Sequence, residues 1–179
     1  MKTIALIPAR LESQRFPNKL IKKLAGVPII ARTYIAAINT KLFDEVYVVS
    51  GNDEIIELIK SKNWLTNKSR TIHQAGTDRI AEAANEIDHD IVVNLQGDEP
   101  FINIDSIENL IASFQDSSVE MASLMTSFNS FDEIKNPNHV KVTVDKNNNA
   151  IFFSRLSTLP SHFTSWIYPL FNVAIPAES

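Results

Sequence analysis

Short apolar runs alternate with stretches of helical periodicity through the first two thirds of the chain, and that alternation leaves few folds open. TIALIP (Thr3–Pro8) is a continuous apolar run, as expected of a strand covered on both faces. A helix is predicted from Pro28 to Asn39, where Ile30, Tyr34 and Ile38 fall at i, i+4 and i+8 and Pro28 suits the first turn. VYVVS (Val46–Ser50) reads as a second strand and NDEIIELIKSK as a second helix, with Asp53 and Glu54 at its dipole-favoured start. A weak strand near Arg70–Ile72, a helix from Thr77 to Glu86 and a buried strand DIVVNLQ (Asp90–Gln96) follow. Ile107, Leu110, Ile111 and Phe114 mark a further helix, capped by Asp105 or Ser106. This order predicts an α/β fold, a parallel sheet with helices on both faces.

Past Val119 the pattern changes. Candidate strands Met121–Thr126, Val140–Asp145 and Ala150–Ser154 lie close together, and the last two are joined by KNNN. So tight a turn predicts an antiparallel pair, making the sheet mixed. Charge then stops. Of 17 Lys+Arg and 21 Asp+Glu in 179 residues, only Glu178 lies after Arg155. The segment 156–179 has neither helical nor strand periodicity, and is expected to be either an extended, packed tail or a non-native ending. The domain reading is therefore 1–155 as one folded domain and 156–179 as an atypical appendage.

Composition removes several functions. Without cysteine there is no disulfide framework, zinc ribbon or thiol nucleophile. A formal charge of −4 argues against a general nucleic-acid partner. No apolar run approaches the ~18 residues of a membrane span. The apolar run near the N-terminus ends at Pro8 without a small-residue cleavage site, so it reads as a first strand and the expected compartment is the cytoplasm.

In open α/β sheets ligands bind beyond the carboxyl ends of the parallel strands, and three polar clusters fall there. PARLESQRFPNK (Pro8–Lys19) sets Arg10, Arg15 and Lys19 with Ser13 in one loop. Forked guanidiniums, an ammonium and backbone N–H groups are what a polyphosphate needs; a solvated basic loop is equally consistent. NLQGDEP (Asn94–Pro100) ends a buried strand in Gly97 and Asp98, a place for a hard cation, or for a carboxylate that merely caps a turn. HQAGTDR (His73–Arg79) starts a helix with Gly76, Thr77 and Asp78, and a helix start attracts anions. His73 alone also reads as a hydrogen-bonded structural side chain.

In this order the motifs resemble those of the CMP-Kdo synthetases (3-deoxy-manno-octulosonate cytidylyltransferases). The match runs from IPARxxSxRxPxK through LxGxPII, HxxGTDR, VNxQGDEP and NPNxVKV to FFSR, from Ile4 to Arg155. The resemblance implies a three-layer, Rossmann-like nucleotidyltransferase fold, usually dimeric. It also implies coupling of CTP to the acidic sugar Kdo, with Mg2+, to give CMP-Kdo and pyrophosphate for lipopolysaccharide. By the same resemblance Arg10, Ser13, Arg15 and Lys19 bind the triphosphate, and Pro8 and Ala9 frame the cytosine. Asp98 is the metal ligand and Gln96 stands beside the sugar. His73, Gly76, Thr77, Asp78 and Arg79 border the nucleotide and sugar sites, and Lys141 and Arg155 border the sugar pocket. Arg10, Lys19 and Asp98 carry the chemistry.

The sequence departs from the family pattern at three places. Asn18 stands where Gly precedes the lysine, Ala75 replaces Ser, and Ser50-Gly51 replaces a Thr-Asp pair. The family's later His, Tyr and second metal-binding Asp have no counterpart after Arg155, Asp145 being the last aspartate. Two alternatives stay open: a synthetase acting on 8-amino-Kdo or another acidic sugar, and a nucleotide-binding remnant with little turnover.

Overall fold

Two compact units make up the chain, Met1–Ala122 with Asn172–Ser179, and Ser123–Phe171. In a computed structural model, side chains are described for residues 1–12, 16–73 and 75–156, and the backbone alone for 167–176. In chain order the first unit contains β1 (Thr3–Ala9), β2 (Lys23–Leu24), β3 (Val27–Pro28), α1 (Ile29–Thr40), β4 (Glu45–Ser50), α2 (Asp53–Lys60), β5 (Thr66–Lys68), α3 (Gly76–Ala84), β6 (Ile91–Asn94) and α4 (Ile104–Ala112).

β1 is buried along nearly its whole length, as its apolar sequence requires. It lies between two parallel neighbours. β4 pairs with it from Ile4↔Glu45 to Ala9↔Ser50, and β6 from Thr3↔Ile91 to Leu6↔Asn94. β5 continues the sheet, parallel to β4. Alternate side chains of a strand face opposite sides; Ile4 and Leu6 pack with Val49 and Val92 of the flanking strands and with Ile80 and Ala83 of α3. Each of these is at most 2% exposed, so a methylene lost here costs roughly 1 kcal/mol. All three central strands therefore end on one edge, and Arg10, Asn52 and Gly97-Asp98 follow directly from those ends.

Two sequence expectations need correction. The strand expected at Arg70–Ile72 lies at Thr66–Lys68, paired to Val48–Ser50; pairing with β4 ends at the Ser69 N–H, which donates to the Ser50 carbonyl, so residues 70–72 fall outside it. The cap of α4 is Asn103, whose Oδ1 accepts from the Ser106 N–H at 2.8 Å, rather than Asp105 or Ser106. In the tail, for which an extended packed segment was one of two expectations, Ile167–Pro176 is a strand. Its part within the first unit runs antiparallel to β6, from Val173↔Asn94 to Pro176↔Ile91. A near-continuous apolar run gives no period by which to recognise such a strand.

The second unit holds most of β7 (Ala122–Ser127), then α5 (Phe131–Lys135), β8 (Lys141–Val144), β9 (Ala150–Ser154) and the start of β10 (Ile167–Pro176). β8 and β9 pair antiparallel, as expected, from Lys141↔Ser154. Asp145 builds the connecting turn: Oδ1 accepts from the N–H groups of Asn147 and Asn149, each at 2.8 Å. Those hydrogen bonds hold its carboxyl below the usual range, the Asn149 side chain contributing first.

Two turn features explain motif residues. Ala25 and Gly26 have φ of 47° and 80°, the paired positive values that a two-residue hairpin between β2 and β3 demands, and Gly26 is the glycine of LxGxP. Asn18, at φ 58° and ψ 24°, is left-handed. Asn is the side chain that tolerates this region best after Gly, which accounts for the departure there. Asn18→Gly is accordingly expected to leave urea stability within about 0.5 kcal/mol, and Asn18→Val to lower it by roughly 1–2 kcal/mol.

Candidate functional site

Lys19 opens a single 3-10 turn (Lys19–Ile21) whose middle residue, Leu20, is buried and fixes its position. The Asn18 N–H donates to the Leu11 carbonyl at 3.1 Å, closing the basic loop at its base. From there Lys19 Nζ reaches Asp98 Oδ2 at 2.5 Å, with both side chains about two-fifths exposed. Asp98 is brought within reach by Gly97. A Cβ on Gly97 would lie 3.0 Å from the Pro8 carbonyl oxygen and 3.2 Å from Ile30 Cδ1, so the backbone after β6 runs against the end of β1. The Gly97 carbonyl is held by Thr33 Oγ1 at 2.9 Å. Desolvation first, and the Asp98 charge second, push the Glu99 carboxyl above its ordinary range.

On the other side of β1 a cleft of about 430 Å³ opens, lined in part by Arg10, Glu12, Asn52, Ser69, His73 and Arg79. Asn52, just past β4, donates through Nδ2 to Glu12 Oε1 at 3.0 Å and accepts the Leu11 N–H at 3.2 Å. The Asn52 amide holds the Glu12 carboxyl below its usual range, with Arg79 and Arg10 adding to the effect. Arg79 is 6% exposed. Burial, and then the Arg10 charge, push its guanidinium down, against Glu12 and Glu82. Arg79 Nε and Ser69 Oγ are buried without a hydrogen-bond partner among the described residues. Unsatisfied buried polar atoms cost about 1–3 kcal/mol each, a cost that a polar ligand in the cleft would remove.

The expected site residues thus fall into distinct places. Pro8 and Ala9 end β1, Arg10 follows into the cleft, and Lys19 meets Asp98. Gly76 opens α3, 3.6 Å from Pro8 by its Cβ position, with Thr77 and Asp78 in the exposed first turn. Ala75 is the N-cap and offers no side-chain oxygen where the family's Ser would. Gln96 lies between β6 and Gly97, its carbonyl accepting the Glu99 N–H at 3.1 Å. Ser13 and Arg15 lie outside the described residues.

In the second unit, Lys141 is 2% exposed and its ammonium donates to the carbonyls of Asn136, His139 and Arg155 at 2.7, 2.9 and 2.7 Å. Burial first, then the Arg155 charge, push it below its ordinary range. The Arg155 guanidinium reaches the Pro137 and Asn138 carbonyls at 3.4 and 3.3 Å. The sequence reading missed Asn52, Ser69 and Glu82; for Glu82 a signal existed, its i,i+3 spacing from Arg79.

The family model for cytidylyltransferases matches residues 4–176. The chain belongs to the cytidylyltransferase family. That match passes Arg155, where the recognisable motifs stop, and includes β10. Over 163 residues, 89% of this chain, it is 48% identical to a 3-deoxy-manno-octulosonate cytidylyltransferase of Flavobacterium johnsoniae, of which it covers 66%. A protein of the same description from Christiangramia forsetii is 47% identical over 86% of this chain and 63% of its own length. The chain thus spans less than two thirds of the length of these curated relatives. Among solved structures, a CMP:2-keto-3-deoxy-manno-octonic acid synthetase complexed with CTP superposes with a TM-score of 0.91 at 28% identity, covering 98% of this chain and 74% of that one. The α/β nucleotidyltransferase fold of this chain is the one expected from its sequence. Among the described residues no helix is long and apolar enough to cross a membrane.

Proposed function

We propose that the chain transfers the cytidylyl group of CTP to 3-deoxy-D-manno-octulosonate (Kdo), giving CMP-Kdo and pyrophosphate. The reading is carried by the meeting of Lys19 Nζ and Asp98 Oδ2 at the carboxyl edge of the parallel strands, in a chain close to proteins described as 3-deoxy-manno-octulosonate cytidylyltransferases. An ion pair this exposed contributes at most about 1 kcal/mol. Its partners are therefore exchangeable, the ammonium to a phosphate and the carboxylate to a cation. Asp98 suits Mg2+ as one hard oxygen ligand, since that ion takes one or two carboxylates and completes its shell with phosphate oxygens and water. Bound there, Mg2+ would neutralise charge on phosphate oxygens.

In the reaction the anomeric hydroxyl oxygen of Kdo forms a bond to the α-phosphorus. The bond from that phosphorus to the α–β bridging oxygen breaks, pyrophosphate leaves with the electron pair, and the hydroxyl proton passes to water. Phosphoryl transfer of this kind relies on positioning and electrostatics. Lys19 and Arg10 hold the triphosphate and stabilise the departing charge, while Pro8 and Ala9 frame the base. Arg79, His73 and Ser69 give the cleft a polar wall for anionic and hydroxyl-bearing groups, and Gln96 faces the sugar.

Pyrophosphate release from CTP, Kdo and Mg2+ tests this. Release that requires both substrates, with CTP preferred to UTP, is expected. Turnover of 8-amino-Kdo or a sialic acid in place of Kdo would reassign the sugar. CTP binding without release would leave a nucleotide-binding protein and contradict the transferase reading.

A further inference from the structure

After the end of β5 at Lys68, residues 69–73 form one wall of the Arg10–Arg79 cleft without belonging to any helix or strand. After the Ser69 N–H, which donates to the Ser50 carbonyl at 3.1 Å, the ladder stops. Ile72 is fully exposed, so apolar burial does not hold the segment. A wall of this sort needs an anchor, and Glu82 supplies it from α3.

Glu82 Oε1 accepts the backbone N–H of Arg70 at 2.8 Å, and Oε2 pairs with His73 Nε2. Both partners of that pair are largely shielded, His73 at 14% and Glu82 at 19% exposure. Thr71 Oγ1 lies 3.0 Å from the same ring nitrogen. One carboxylate therefore fixes the segment at two points, three residues apart. Glu82 stands three positions after Arg79, on the neighbouring part of the helix surface, so the wall is referenced to the element that carries the buried guanidinium. The hydrogen bonds from His73 first, then from the Arg70 N–H, hold the Glu82 carboxyl below its usual range. An ionised carboxylate only accepts hydrogen bonds. The ring nitrogen facing it must carry the proton, which leaves Nδ1 of a neutral His73 as an acceptor.

We propose that Glu82 is a positioning residue for this cleft: by accepting from His73 Nε2–H and from the Arg70 backbone it sets both the tautomer of His73 and the place of the wall. That the cleft receives a nucleotide rests on the function proposed above; the anchor itself does not.

The test compares the full chain with Glu82→Gln and Glu82→Ala. If the Gln oxygen keeps the Arg70 N–H, its amide N–H faces His73 Nε2, which must then accept, so the ring proton moves to Nδ1. Long-range 1H–15N correlation of the imidazoles at about pH 9, above the ordinary histidine range, reads the tautomer. Nε2–H is expected in the parent chain and Nδ1–H in Glu82→Gln. Calorimetry with CTP and Mg2+ should show about tenfold weaker binding in both variants, the usual order for losing a residue that orients a binding group. A parent chain with the Nδ1–H tautomer overturns the proposal, whether or not either variant folds. So does Glu82→Gln with unchanged tautomer and unchanged CTP affinity. A parent chain that shows Nε2–H and the Gln reversal but no CTP affinity would instead overturn the proposed function and leave the anchor standing.

Discussion

Asp98→Asn is expected to lower CTP-dependent pyrophosphate release by about 10²–10³ and to abolish its response to added Mg2+, while the melting temperature hardly moves. The two halves have separate causes. Asp98 is 40% exposed and pairs with Lys19, itself 39% exposed, so screening leaves little folding energy in the pair. The amide keeps the shape but not the charge, so it is a far poorer ligand for a hard cation. A Mg2+ titration of initial rate, with a thermal melt of the same preparation, checks both. A variant that answers to Mg2+ as the parent does would make Asp98 a structural residue.

Arg79→Met is expected to separate stability from binding in the opposite sense. The parent guanidinium is 6% exposed, pushed down by burial and by Arg10, and its Nε has no hydrogen-bond partner among the described residues. A side chain of similar length without charge removes that desolvation cost. Loss of a charge-assisted hydrogen bond to an anionic substrate costs about 2–3 kcal/mol. The KM for CTP or Kdo should accordingly rise about 100-fold while the melting temperature holds or rises. Steady-state kinetics and a thermal scan decide it: a lower melting temperature with normal KM values would make Arg79 a core residue only.

The central strands were legible because a strand with parallel neighbours on both sides and both faces covered must be largely apolar, as IALIP and IVV are. The carboxyl edge singled out the clusters holding Arg10, Lys19 and Asp98 as candidates, and only the resemblance to the CMP-Kdo synthetases set a nucleotide site above a solvated loop and a turn cap. The meeting of Lys19 with Asp98 across 79 positions agrees with that placement. What stayed hidden is what side chains do across distance. Asn52 ties the basic loop to β4, and Glu82 ties residues 70–73 to α3, but neither partner can be read from a period. Lys141 shows the converse, a lysine in a motif that the fold turns inward onto three carbonyls. The Asn18 departure carried its reason in the backbone, where a left-handed residue was needed and glycine was not the one side chain able to provide it.

Calorimetric titration of CTP in Mg2+ into the parent chain and Lys19→Ala bears most directly on the convergence of the basic loop and the acidic strand end. Binding that weakens at least about tenfold on losing one ammonium–phosphate contact, with unchanged thermal stability, is the predicted result. Equal affinity in the two proteins, or no CTP binding by the parent, would contradict the assignment of this edge as a nucleotide site.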